Sequence, residues 1–324
     1  MTRPATVFRT AAITLAVLCC ALFLSPGDSS AAKFPEKNIT MIIPYPPGGN
    51  MDMSSRPIAA KLSEILGVKV IVQQVPGAAA LSGSLKAVTS KPDGHTILYG
   101  VHSVFSARPY LQPGSRISID MAEPLGGGAA PMILFGVNKA SPMNSLDDFV
   151  KACKANPGKV SVGQVGRMGT MEILNGQMSQ VLDIQVKRVP FDGGGPLLAA
   201  LMGNHLDAGF NDTYNPDFKA LAVVNTERGS YYPELKTMAE LGYPEMDIYT
   251  YYCFFAPKGT PPDVVKVLES AIEKAIKDPD FVRFCEKTRM LPVYKTAKQL
   301  GELIAHDTAI IKNLIAKGVL VPIQ

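Results

Sequence analysis

Two stretches of this sequence join a proline–aromatic step to clustered glycines, and their residue types suit the capture of an anion. The first is Pro44-Tyr45-Pro46-Pro47-Gly48-Gly49-Asn50-Met51-Asp52. The second, about 145 residues further on, is Pro190-Phe191-Asp192-Gly193-Gly194-Gly195. The first follows the apolar run Ile39–Ile43, the second follows an expected strand, and each precedes a helical pattern. The order strand, glycine turn, helix start leaves first-turn amides with no intrahelical partner. Such a helix end carries partial positive charge and accepts anions. Glycines there let the main chain bend sharply and approach a ligand. Either cluster alone reads as readily as a tight connection. Together they point to a cleft with donors on both walls, where the carboxyl ends of strands gather.

Regular elements must hold these turns. Strands are expected at Ile39–Pro44, Val68–Gln73, His95–Gly100, Ala130–Val137, Val160–Gly163 and Ile184–Val189. Helices are expected at Ala80–Ser90, Asp147–Asn156, from Thr170 to Leu182, and at Pro196–Met202, Val264–Ile276 and Leu300–Ile315. The first helix places Ile58, Leu62, Ile65 and Leu66 on one face and ends near Gly67. Pro57 is awkward in a helix interior, so this helix is expected to start near Ser54 or Ser55, either of which could cap it. The alternation implies an α/β fold with mainly parallel sheets.

A chain of 324 residues, 47% hydrophobic and 19% charged, holds one large or two ordinary domains. Its net charge of +4 is dispersed, and no basic run is interleaved with aromatics, so nucleic acid is not a partner. At the N-terminus, Arg3 and Arg9 precede or flank the apolar run Ala11–Leu24, which leads to Ser29-Ser30-Ala31-Ala32. This reads as a signal peptide, residues 1–32, cleaved after Ala32; the run falls short of the ~20 residues a membrane span needs. Export leaves Cys153, Cys253 and Cys285, enough for at most one disulfide, with no pair selected by spacing. His95, His102, His205 and His306 are scattered, so no built-in metal site is expected. An exported hydrolase is disfavoured, because neither G-x-S-x-G nor H-E-x-x-H occurs. His102 beside Ser103 is the only pairing to consider, and adjacent strand-end residues point to opposite faces.

The motifs also occur in a set. Pro44–Asp52, Pro92-Asp93-Gly94-His95-Thr96, Ala155-Asn156-Pro157-Gly158-Lys159, Phe191-Asp192-Gly193-Gly194, Met238-Ala239-Glu240-Leu241-Gly242 and Phe255-Ala256-Pro257-Lys258-Gly259-Thr260-Pro261 follow in this order. In them the chain resembles the Bug family of periplasmic solute receptors, the binding subunits of tripartite tricarboxylate transporters. The resemblance implies a type II periplasmic-binding-protein fold, a Venus flytrap of two doubly wound lobes around a ligand cleft. Lobe 1 would be residues 33–134 plus 254–324, with the C-terminal helices packed back onto it, and lobe 2 residues 135–253. The implied ligand shell is Pro47, Gly48, Gly49, Asp52, Ser103, Gly163, Gln164, Gly166, Thr170, Phe191, Asp192, Gly193, Gly194 and Asp212. The implied function is extracytoplasmic capture of a small carboxylate, or an amino acid, by a monomer in the periplasm. Delivery would be to membrane permease subunits, or alternatively to a signalling partner; no catalytic residue and no cofactor is implied.

Departures from the family bear on specificity. Gln164 stands where a small hydroxyl residue is common, and Asp192 where a basic or neutral one is. Asp52, Asp192 and Asp212 would give the cleft an acidic bias, and two unpaired carboxylates would repel a di- or tricarboxylate. Arg167 could offset this through a bidentate pair. The expected ligand is a carboxylate with a neutral or cationic far end, and Asp52→Ala is expected to change ligand preference more than stability.

Overall fold

The apolar run Ile39–Ile43 forms strand β1, whose side chains are buried on both faces with only Thr40 partly exposed. That pattern belongs to a strand flanked on both sides and covered by helices. In the computed structural model, which describes residues 34–212, 215–224, 232–246 and 250–323, β1 lies between β2 (Val70–Gln74) and β3 (Thr96–Val101), parallel to both. The full sheet runs β11 (Met290–Leu291), β4 (Ala122–Pro131), β10 (Tyr252–Pro257), β3, β1, β2. A second sheet runs β7 (Lys187–Phe191), β6 (Ser161–Val165), β8 (Ala208–Asn211), β5 (Leu134–Asn138), β9 (Phe218–Val223). Each contains three neighbouring parallel strands, β2-β1-β3 and β7-β6-β8. Each is then extended by an antiparallel strand, β10 or β5, which enters after the chain crosses between lobes. The sheets are therefore mixed, which the expectation of mainly parallel pairing did not include. The two-lobed α/β architecture is as the family resemblance implied.

Helices α1 (Asn50–Leu66) and α2 (Leu81–Val88) link the first parallel strands. Two short helices, α3 (Ser103–Ser106) and α4 (Arg108–Leu111), follow β3. In the second lobe, α5 (Leu146–Ala155), α6 (Thr170–Val181) and α7 (Gly194–Met202) alternate with strands. The chain ends in α8 (Pro262–Ile276), α9 (Pro279–Thr288) and α10 (Ala297–Ala316), all within the unit Lys37–Gln324. No described helix is long and apolar enough to cross a membrane. The signal peptide and its cleavage site lie outside the described residues.

Three local expectations need correction. Helix α1 starts at Asn50, not near Ser54 or Ser55, and Pro57 lies inside it. Both serines are buried, and their hydroxyls donate back to the carbonyls of Met51 and Asp52. The apolar run Ala130–Val137 is not one strand; Pro131 closes β4 and Leu134 opens β5, so the run spans the crossing between lobes. Strand β4 itself, AEPLGGGAAP, went unrecognised because glycine and proline are poor strand formers. Its glycines are required by close approach: a Cβ on Gly126 would meet Lys295 O at 2.8 Å, and one on Gly128 would meet the Phe254 ring at 2.9 Å.

The second core centres on Phe135, Phe149 and Phe210, with ring centroids 4.8 and 5.1 Å apart. Helices α8 and α9 and the first half of α10 lie on the first sheet and α1. The far end of α10 does not follow them: Ile311, Leu314 and the following Leu320 belong to the second core. Arg188 Nη1 donates to Val319 O at 3.1 Å. The C-terminal helix therefore bridges both lobes.

Candidate ligand-binding site

Three of these helices begin around one cavity of about 390 Å³. At α1, Gly49 is the N-cap and Asn50, Met51 and Asp52 form the first turn, all lining the cavity. At α6, Gly169 is the N-cap and Thr170 and Met171 present the first amides. At α7, Gly193 precedes Gly194 and Gly195. First-turn amides have no i−4 carbonyl to reach, and three aligned helix dipoles add positive potential at one place. The cavity's size is that of a small-molecule pocket.

Beside Asp192 and Asp212, the wall carries tyrosine, hydroxyl and apolar side chains, including Tyr45, Val101, Ser103, Met168, Thr250 and Tyr252. Burial pushes the Tyr45 phenol up to about 12, with Asp212 adding to the rise and Arg108 opposing it. Burial, then Asp212, likewise raises Tyr252 well above the usual phenol range. Both phenols are neutral at physiological pH and can donate a hydrogen bond. The Thr170 hydroxyl is buried with no hydrogen-bond partner among the described residues. Asn50 Nδ2 reaches across the cleft and donates to Asp212 O at 2.6 Å, joining the two walls.

Of the residues anticipated from sequence, Pro47, Gly48, Gly49, Asp52, Ser103, Gly166, Thr170, Asp192, Gly193, Gly194 and Asp212 line this cavity. Gly163, Gln164 and Phe191 do not. Gly163 sits inside β6, where a Cβ would meet Leu206 Cδ1 at 2.6 Å. Gln164 is buried and accepts from Asn175 Nδ2 at 2.9 Å. Phe191 packs on the Leu197, Leu201 and Leu206 cluster. Arg167 is exposed and stands outside the lining. The side chains that sequence reasoning passed over are Asn50, Tyr45, Met168, Thr250 and Tyr252. Tyr45 and Asn50 lay within the first motif and could have been taken from it; Thr250 and Tyr252 arrive through the return crossing, which carries no local signal.

Asp52 proves to be engaged by the glycine turn, by its own helix and by β2. Its carboxylate accepts from Gly48 N at 3.0 Å, Gln74 Nε2 at 2.5 Å and Arg56 Nη2 at 3.0 Å. Burial alone would raise its pKa, but the Gly48 amide, Arg56 and Gln74 outweigh that and hold it below the usual carboxylate value. The Gly48 amide is thereby occupied. Its contribution is the left-handed turn, φ +89°, that folds the loop back onto Asp52. The acidic bias thus loses Asp52; Asp192, which is exposed, and Asp212 also line the cavity. No lysine, arginine or histidine lines the cavity among the described residues.

Ser103 has no catalytic base beside it. His102 is not among the residues lining the cavity: its Nε2 lies 2.7 Å from Asp307 Oδ2, and its Nδ1 lies 3.4 Å from Tyr251 N. Cys153, Cys253 and Cys285 are free and buried, and burial pushes Cys153 up to about 11 and Cys285 to about 12. No described cluster could hold a metal ion.

Comparison with known proteins agrees with this geometry. Residues 54–320 match the family model described as tripartite tricarboxylate transporter family receptor. A UPF0065 protein of Bordetella pertussis is 30% identical over 84% of this chain and 86% of its own length. Protein BugT of the same organism is 29% identical over 86% and 88%. Among solved structures, an R. palustris protein with adipate shares the fold at TM-score 0.82, 19% identity, covering 90% of this chain and all of that one. MatC from Rhodopseudomonas palustris with bound malate gives 0.75 and 22%, covering 86% and all of that chain. This chain belongs to the family of tripartite tricarboxylate transporter receptors.

Proposed function

We propose that the protein captures a small carboxylate between its two lobes in the periplasm and delivers it to the membrane subunits of a tripartite tricarboxylate-type transporter. One observation carries the reading: three helix N-termini, from both lobes, converge on a single cavity that also holds the unpartnered Thr170 hydroxyl. The relatives whose structures hold adipate and malate are consistent with a carboxylate ligand. So is the receptor family itself, which also argues against an enzyme.

The wall limits what the far end of the ligand can be. With Asp192 in the lining and no cation there among the described residues, a second carboxylate placed against it would meet a like charge. We therefore assign a carboxylate whose other end is neutral or cationic, such as an amino acid or a hydroxylated or aromatic monoacid. Thermal unfolding against a panel of small acids tests both parts. A ligand at ~100 times its dissociation constant adds roughly 2.7 kcal/mol, a shift of several degrees in a chain of this size. No shift with any acid would remove the receptor function; a larger shift with citrate than with every monoacid would remove the specificity.

A further inference from the structure

A buried arginine stands directly behind the cavity wall. Arg108 opens α4 and is 2% exposed. Arginine is almost never buried so far without an opposite charge in contact, yet every hydrogen-bond partner of this guanidinium is neutral. Nη2 donates to the carbonyls of Ala78 and Ala79, the latter at 2.7 Å. Nη1 donates to Gln112 Oε1 at 3.1 Å and meets Met168 Sδ at 3.6 Å. Nε is buried with no partner among the described residues. Glu172 acts on Arg108 through space without ion-pair contact, its own carboxylate accepting from Met168 N.

The segment that Arg108 grips is conformationally costly. Ala78, Ala79 and Ala80 have φ of +47°, +48° and +73°, three successive side chains in the left-handed region. Two carbonyls from one fixed guanidinium fork are a specific device for holding such a turn. Ala79 lines the cavity, and its Cβ lies 3.5 Å from where a Cβ on Gly166 would be. Met168, which also lines the cavity, belongs to that same loop of the second lobe. The grip therefore reaches both lobes.

We propose that Arg108 is the positioning residue of the cleft: it holds the left-handed Ala78–Ala80 turn against the Gly166–Met168 loop and sets an unpaired positive charge behind the anion-facing wall. The charge half of this rests on the receptor function assigned above; the grip does not.

Two variants separate the halves. Arg108→Lys keeps the charge and loses the fork, and Arg108→Met loses both. Hydrogen exchange of the ligand-free protein reads the grip. Amides of residues 77–81 should exchange at least about tenfold faster in both variants, with those of β1 unchanged. Wild-type rates at 77–81 in the variants overturn the grip. Where Arg108→Met does not fold, Arg108→Lys carries this arm together with an Ala78→Gly/Ala79→Gly background, in which the turn no longer needs holding. There Arg108→Lys should shift the thermal midpoint less than half as much as in the native background, and an equal shift also overturns the grip.

The charge is read by calorimetry with malate, adipate, glutamate and benzoate, taking the tightest and its uncharged amide as the probe pair. The acid-to-amide affinity ratio should fall about tenfold in Arg108→Met and stay within about twofold in Arg108→Lys. An unchanged ratio in Arg108→Met overturns the charge half. If the wild-type protein binds none of the four acids, the charge half falls with the receptor function, while the exchange arm still decides the grip.

Discussion

Replacing Asp52 by alanine should damage the fold of the first loop rather than retune the ligand. The carboxylate is 4% exposed and accepts three hydrogen bonds, from Gly48 N, Gln74 Nε2 and Arg56 Nη2. Hydrogen bonds to a charged group are worth roughly 1.5–3 kcal/mol each. Because the Arg56 side chain is 64% exposed, its ion pair adds only about 0–1 kcal/mol. The first-turn position on α1 adds roughly 0.3–1 kcal/mol through the helix dipole. These share one carboxylate and are not additive, so a net loss of about 2–4 kcal/mol is expected for Asp52→Ala. At roughly 2–4 °C per kcal/mol for a chain of this size, the midpoint should fall by about 4–16 °C. The folded carboxyl titrates below its unfolded value of about 3.9. Its stabilisation is therefore fully present above about pH 5 and is lost as the pH falls through the lowered folded pKa. The gap between wild type and variant should be flat from pH 5 to 8 and close below about pH 4. Thermal scans across pH, with the acid panel at neutral pH, make the measurement. A variant that melts within about 1 °C of wild type but reorders the acids would refute the reasoning and return Asp52 to the ligand shell.

Three further changes have defined outcomes. Gly83→Ala places a Cβ 2.6 Å from Val75 O and 2.8 Å from Pro44 Cα, both main chain. It should cost about 1–3 kcal/mol and weaken acid binding by displacing the glycine loop; a native midpoint in urea unfolding would contradict this. Asp307→Ala leaves His102 buried without its 2.7 Å partner and should cost about 2–4 kcal/mol, with Asp307→Asn recovering part; a loss under about 1 kcal/mol would show that the pair is dispensable. Thr170→Val removes a hydroxyl with no partner among the described residues, so stability should move by less than about 1 kcal/mol while affinity for the bound acid drops about five- to tenfold; unchanged affinity in calorimetry would place the hydroxyl outside the ligand contacts.

Much of the parallel framework was legible because its signals are local. Ile39–Ile43 is an apolar run broken by a Pro-aromatic and glycine step, and α5 and α6 lie within a residue or so of their expected bounds. The strand expected at Ile184–Val189, which carries Gln185, Lys187 and Arg188, runs instead from Lys187 to Phe191. Strand β4 and the crossing after Pro131 were not legible, since the first uses glycines for contacts made by residues distant in sequence and the second hides inside one apolar run. The same holds for α10, whose amphipathic pattern marks a buried face without saying that its two halves face different cores.

The sequence by itself determined that two glycine-bearing helix starts exist and that their chemistry suits a carboxylate, because turn residues and helix periodicity act over a few positions. Only the tertiary structure decided which polar groups remain for the ligand. It brought Gln74 to the Asp52 carboxylate, gathered Thr170, Tyr45 and Tyr252 around one cavity, and set Arg108 behind its wall. A side chain's partners come from elements distant in the chain, and for a charged group those partners decide whether it meets the ligand or holds the loop that does.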